Sequence, residues 1–153
     1  MLEIAAAGES DWPDVVRLVG RLLAELEDSP EEFAGLDARG ALRSLESAGR
    51  AFQAFVAREG PGEPVGVLTL TETFALYAGG RYGVIDELYV APECRARGVG
   101  RALLDAALSF GRARGWRRID VTAPPGPKWE RTVRFYESQG FVFTGPKLRR
   151  PIP

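Results

Sequence analysis

A β-rich run, Tyr82 to Ala91, passes through a short turn holding Arg95, Arg97, Gly98 and Gly100 and continues at once as a helical pattern reaching about Arg114. A strand that feeds a helix through glycines presents unpaired backbone N–H groups at the positive end of a helix dipole, an arrangement suited to phosphate. Gly98 and Gly100 let a ligand approach the backbone without a Cβ clash. The helix must then bury its apolar stripe on a sheet, which places the chain in the α/β class.

The flanking text agrees. Leu2 to Ala6 reads as a first strand ending before Gly8. Ser10 or Asp11 can cap a helix with Pro13 in its first turn and Val15, Leu18, Val19, Leu22, Leu23 and Leu26 at helical spacing. Ser29-Pro30-Glu31-Glu32 has the form of a second helix start, with Phe33, Leu36, Leu42 and Leu45 as its apolar face and Gly35 and Gly40 as interruptions. Phe52 to Ala57 and Val65 to Thr73, joined by a Gly- and Pro-rich turn, predict an antiparallel hairpin; a second turn at Tyr77 to Gly80 leads to the Tyr82 run. A strand at Arg118 to Thr122, a helix from about Trp129 to Gln139 and a last strand opening at Phe141 complete the reading. With 153 residues and no repeat or long linker, one domain over residues 1–153 is expected.

Histidine is absent and Cys94 is the only cysteine. Imidazole-based hydrolase triads, cysteine cages, nearly all zinc sites and an intrachain disulfide are thereby excluded, and no metal is expected. The first residues form neither a basic leader nor an apolar core of one, and no apolar run approaches the roughly 18 residues of a membrane span, so a cytoplasmic protein is expected. Residues 1–90 carry 7 basic and 16 acidic side chains, net -9, whereas residues 91–153 carry 13 and 5, net +8. One half suits an anionic ligand and the other a cation.

The turn lacks the lysine of a P-loop and the third glycine of a dinucleotide fingerprint. Arg95-x-x-Gly98-x-Gly100 instead resembles the Gln/Arg-x-x-Gly-x-Gly/Ala signature of the GNAT acyltransferase superfamily. The likeness takes in Asp86 to Glu93 before the turn and Arg101 to Leu104 after it. It returns as Phe135-Tyr136-Glu137-Ser138-Gln139-Gly140-Phe141, similar to the superfamily's FY-x-x-x-GF element and starting 35 residues beyond Gly100.

The resemblance implies a mixed, mostly antiparallel twisted sheet with helices on both faces and a splayed centre. It implies acetyl-CoA as the acetyl donor and direct transfer to a primary amine in a ternary complex, with no covalent enzyme intermediate and no role for Cys94. Backbone groups of Leu88 and Val90, in the Leu88-Tyr89-Val90 strand, would pair with the pantetheine arm, and an N–H there would polarise the thioester carbonyl. The N–H groups of Ala96, Arg97, Gly98, Val99, Gly100 and Arg101 would hold the pyrophosphate, with Arg95, Arg97 and Arg101 adding charge.

Tyr136 aligns with the family tyrosine that donates a proton to the departing thiolate. A base is needed because an alkylamine arrives protonated. Glu87 and Asp86 compete for that role, and strand alternation sends their side chains to opposite faces. Trp129 stands where the family often has an asparagine that contacts the cofactor, and Thr132 where a small alanine is common.

The acceptor is not legible; the acidic first half favours a small cationic amine, with a protein amine as the other acceptor class. A homodimer is compatible with the family, while no membrane or nucleic-acid partner is expected. The alternatives are a non-catalytic CoA-binding sensor, motivated by Trp129, and a nucleic-acid binder using the basic half, for which no interleaved aromatic and basic motif exists.

Overall fold

The structure is a computed structural model describing residues 1–26, 37–47 and 49–152. It falls into two compact units, Met1–Val121 and Thr122–Pro153. The first is built on a five-stranded sheet in the order β1 (Leu2–Ala6), β2 (Phe52–Glu59), β3 (Gly66–Ala75), β4 (Gly80–Val90) and β5 (Ile119–Val121). The first four strands pair antiparallel as successive neighbours, and β5 joins β4 in parallel. A parallel partner requires a crossover, which helix α3 (Val99–Ala113) supplies.

The predicted hairpin forms with Phe55 opposite Leu68 and Val56 opposite Val67. Alternation then sorts the side chains between two helices. Helix α1 (Trp12–Glu25) lays Val15 and Leu18 on Ala54, Val56, Val67 and Tyr89. On the opposite face the Phe55 ring meets Phe110 of α3 edge-on at 6.0 Å, and a Cβ built on Gly66 would come within 3.1 Å of Leu103 and 3.2 Å of Val99. The sheet is thus covered on both faces, as the resemblance implied.

Two local expectations need correction, and a third lies outside the described residues. Asp11 stands at the N-cap of α1 but makes no side-chain cap bond; its carboxylate accepts from the Gly8 N–H (2.8 Å) and from Arg58 (2.8 Å) instead. The helix start proposed at Ser29 lies outside the described residues, and the described helix here is α2 (Ala38–Ser47), with Leu42 and Leu45 half-buried. No strand opens at Phe141. In the second unit, helix α4 (Glu130–Ser138) ends at Gly140 in the left-handed region (φ 90°), and the Phe141 N–H closes the helix by donating to Tyr136 O at 3.1 Å. The apolar residue that read as a strand start is spent on a helix stop. No helix among the described residues is long and apolar enough to cross a membrane.

Candidate functional site

Strand β4 carries most of the predicted site. The Ala91 N–H donates to Val65 O at 2.8 Å, so alternation aims the backbone groups of Tyr89 toward β3 and those of Leu88 and Val90 toward the other edge. Pairing with β5 on that edge spans only Gly83 to Ile85. Leu88 and Val90 therefore lie beyond the β5 ladder, where an extended amide-bearing chain can add as a strand.

After Val90 the chain makes a 3-10 turn, Pro92–Cys94, and then two left-handed residues, Ala96 (φ 59°) and Gly98 (φ 86°). Ala96 is the only non-glycine among the described residues with positive φ, a conformation costing roughly 1–2 kcal/mol. Gly98 is the N-cap of α3 and so supplies no side-chain cap; the first intrahelical bond runs from Ala102 N to Gly98 O at 2.9 Å. The N–H groups of Val99, Gly100 and Arg101 have no acceptor within the helix. These groups and the Leu88 and Val90 edge are the donor sets that a pyrophosphate and a pantetheine amide chain require, so the residues present fit coenzyme A.

The three arginines of this turn are engaged within the chain. Arg95 donates from Nε to Val90 O (2.8 Å) and from Nη2 to Glu25 (2.6 Å), with its guanidinium 5.6 Å from the Tyr89 ring centre. Arg97 pairs with Glu59 at 3.2 Å, and Arg101 lies 3.9 Å from Asp105. Each of these basic side chains has a carboxylate beside it. Cys94 is buried, and burial together with the nearby Glu59 charge pushes its thiol up, away from thiolate.

The two candidate bases share a face, against the expectation from alternation. Thr69 lies opposite Glu87, yet Leu70 lies opposite Ile85, so Asp86 is the extra residue of a β-bulge. Alternation resets at such a point. The Thr69 hydroxyl donates to the Glu87 carboxylate and accepts the Glu87 N–H at 3.1 Å; the Thr71 hydroxyl donates to Asp86 at 3.0 Å. Thr69 and Thr71 are two apart on β3 and face the same way, so both carboxylates do as well. Burial raises the Glu87 pKa above the usual carboxylate range; the Thr69 bond lowers it, and the Asp86 charge adds to the rise. Asp86 itself is exposed.

In the second unit, Tyr136 is buried on α4, its ring 5.4 Å from those of Phe135 and Phe141, and burial pushes its phenol up to about 12. Trp129 ends the 3-10 turn Pro127–Trp129 at the N-cap of α4, half-buried, with Lys128 Nζ 5.3 Å over its ring. Among the described residues no three His, Cys, Asp or Glu side chains cluster to hold a metal. The sequence reading passed over Thr69 and Thr71, whose β-branching read only as strand propensity. The signal available was the register of the predicted strands, which sets Thr69 across from Glu87; Thr71, opposite Val84, reaches Asp86 only through the bulge.

The sequence profile of the Acetyltransferase (GNAT) family matches residues 19–141. A protein of Archaeoglobus fulgidus described as an uncharacterized N-acetyltransferase is 30% identical over 98% of this chain and 95% of its own. Among solved structures, an aminoglycoside acetyltransferase from an uncultured soil metagenomic sample is 25% identical, covering 100% of this chain and 99% of that one with a TM-score of 0.81. A ribosomal-protein-alanine N-acetyltransferase from Brucella melitensis shares the fold, with a TM-score of 0.74 at 22% identity and full coverage of both chains, 100% each. The chain belongs to the GNAT acetyltransferase family. It is an acetyl-CoA-dependent N-acetyltransferase.

Proposed function

We propose that residues 1–153 work as one cytoplasmic acyltransferase domain that moves an acetyl group from acetyl-CoA directly to a primary amine of a small cationic acceptor. The observation that carries this reading is the pair of carboxylates on one face of β4, next to the edge formed by Leu88 and Val90. Glu87, with its raised proton affinity, takes the proton from the acceptor ammonium, directly or through water. The freed nitrogen forms the new C–N bond at the thioester carbonyl, whose oxygen a β4 backbone N–H polarises. Asp86 supplies a second negative charge for a cationic acceptor and is the competing base.

The carbonyl re-forms as the C–S bond breaks, the second proton of the attacking nitrogen passes to water or to the departing thiolate, and Tyr136 serves that thiolate. A phenol near 12 is a weaker acid than a thiol of about 8.5, so Tyr136 acts by hydrogen-bonding the thiolate and keeping its own proton. The acidic first half of the chain and the likeness to an aminoglycoside acetyltransferase support a polycationic acceptor over a neutral one.

A thiol-release assay with acetyl-CoA and three acceptors, an aminoglycoside, a linear polyamine and a peptide with N-terminal alanine, tests the reading. Turnover with the aminoglycoside or polyamine is expected, and turnover confined to the peptide overturns the choice of acceptor. Acetyl-CoA at 100 times its dissociation constant adds about 2.7 kcal/mol of stability, a rise of several degrees in melting temperature. No rise at saturation overturns the coenzyme site.

A further inference from the structure

We infer that Thr69 is a positioning residue for acetyl transfer: locked by the Glu87 amide, its hydroxyl aims its proton at the Glu87 carboxylate and holds that side chain on the face shared with Asp86. The inference rests on Glu87 being the base. Its ground is a closed two-way contact. Thr69 is only 2% exposed, and its Oγ1 accepts the Glu87 N–H at 3.1 Å, which uses one lone pair and leaves the hydroxyl proton to the carboxylate of the same residue. A β-branched side chain in a strand has few rotamers, so the hydroxyl is held in place before any acceptor arrives. The β4 bulge is what brings the Glu87 amide and carboxylate to one threonine.

The charged surroundings leave Thr69 a decisive share. On β4 the acting charge is that of Asp86, itself held by Thr71. On β3, Glu72 turns away to Arg114 and Trp116. From α1, Asp14 and Arg17 pair with each other and with Arg58 and Glu63, Glu25 pairs with Arg95, and Arg21 is exposed. A hydroxyl that donates to a carboxylate favours the ionised form. Thr69 therefore favours the ionised, proton-accepting form of a half-buried carboxylate that desolvation and the Asp86 charge push the other way.

The test measures kcat/KM against pH, using acetyl-CoA and whichever acceptor of the panel turns over. Thr69→Val keeps the shape and removes the hydroxyl; it is expected to lower kcat/KM at pH 7 by about tenfold and to move the acid limb to higher pH. Thr69→Ala, which removes the hydroxyl without the branched bulk, must move the limb the same way, and Thr69→Ser must restore it. In a Glu87→Gln background, Thr69→Val should have no further effect. Loss of activity with an unmoved limb, or failure of serine to rescue, overturns the positioning role while Glu87 stands. Full activity in Glu87→Gln overturns the base assignment and this inference with it.

Discussion

Glu72 and Glu87 sit on the same antiparallel strand pair, both largely removed from water, and their proton affinities move in opposite directions. The Glu72 carboxylate accepts from Arg114 Nε at 2.7 Å and Nη2 at 3.0 Å and from the Trp116 indole N–H at 2.6 Å, with Arg81 3.9 Å away. The Arg114 guanidinium holds it down at about 2. Glu87 has a hydroxyl and a second carboxylate for company, and burial pushes it up. Desolvation acts on both with the same sign; the partners decide which form survives. A saturated carboxylate is a fixed anion that ties β3 to the end of α3, whereas an under-compensated one can exchange protons.

The largest effect is expected from Glu87→Gln, which should lower kcat by about 10²–10⁴-fold in steady-state assays. The same variant sharpens the contrast through stability. A carboxylate with a raised folded pKa contributes stability that is present below its unfolded value and is lost as pH rises through the folded one. Glu87→Gln should therefore melt higher than wild type at neutral pH while being nearly inactive.

Arg114→Met attacks the other side by giving Glu72 the isolation of Glu87. Stripping the partner from a mostly buried pair should cost about 3–5 kcal/mol, read as a drop in melting temperature of several degrees, with turnover per folded molecule unchanged. In wild type the Glu72 contribution is complete above its ordinary 4.5 and disappears as pH falls through about 2, so the gap between the two melting curves should close in acid.

Tyr136→Phe should cost about tenfold in kcat by removing one hydrogen bond to the leaving thiolate, without moving the acid limb. The smallest effect is expected from Asp86→Asn: the acid limb of kcat/KM should slide to lower pH as the charge that raises Glu87 is removed. An upward slide would break the electrostatic account of the pair.

The contrast between the two glutamates was only half legible in the sequence. Strand runs, both turns and the start of α3 were readable because hydrophobic period and glycine placement are local properties. A bulge is not local in that sense. It inserts one residue without disturbing the apolar pattern around it, so alternation across Asp86 and Glu87 pointed their side chains to opposite faces when the fold points them to one.

Ion pairs were equally hidden: Arg95 finds Glu25 across 70 positions and Arg58 finds Asp11 across 47, distances over which spacing carries no information. The second pair bears on the start of α1 as well: Asp11 holds the N-cap position, but its carboxylate is divided between the Gly8 N–H and the Arg58 guanidinium and makes no cap bond. Phe141 was misread for a related reason, because an apolar residue after Gly140 serves a strand or a helix stop equally well until its N–H finds an acceptor.

The close seat of α3 on Gly66 limits how this chain can vary. A methyl at position 66 would stand 3.1 Å from Leu103, 3.2 Å from Val99 and 3.2 Å from the Tyr89 carbonyl, and the strand carbonyl yields less readily than the side chains. The displacement would pass to the first turn of the helix, whose N–H groups begin at Val99. Substitutions on the outer face of α3 are absorbed by solvent, but one carbon added on β3, 32 residues before Gly98 in the chain, would retune the height of the turn that opens α3.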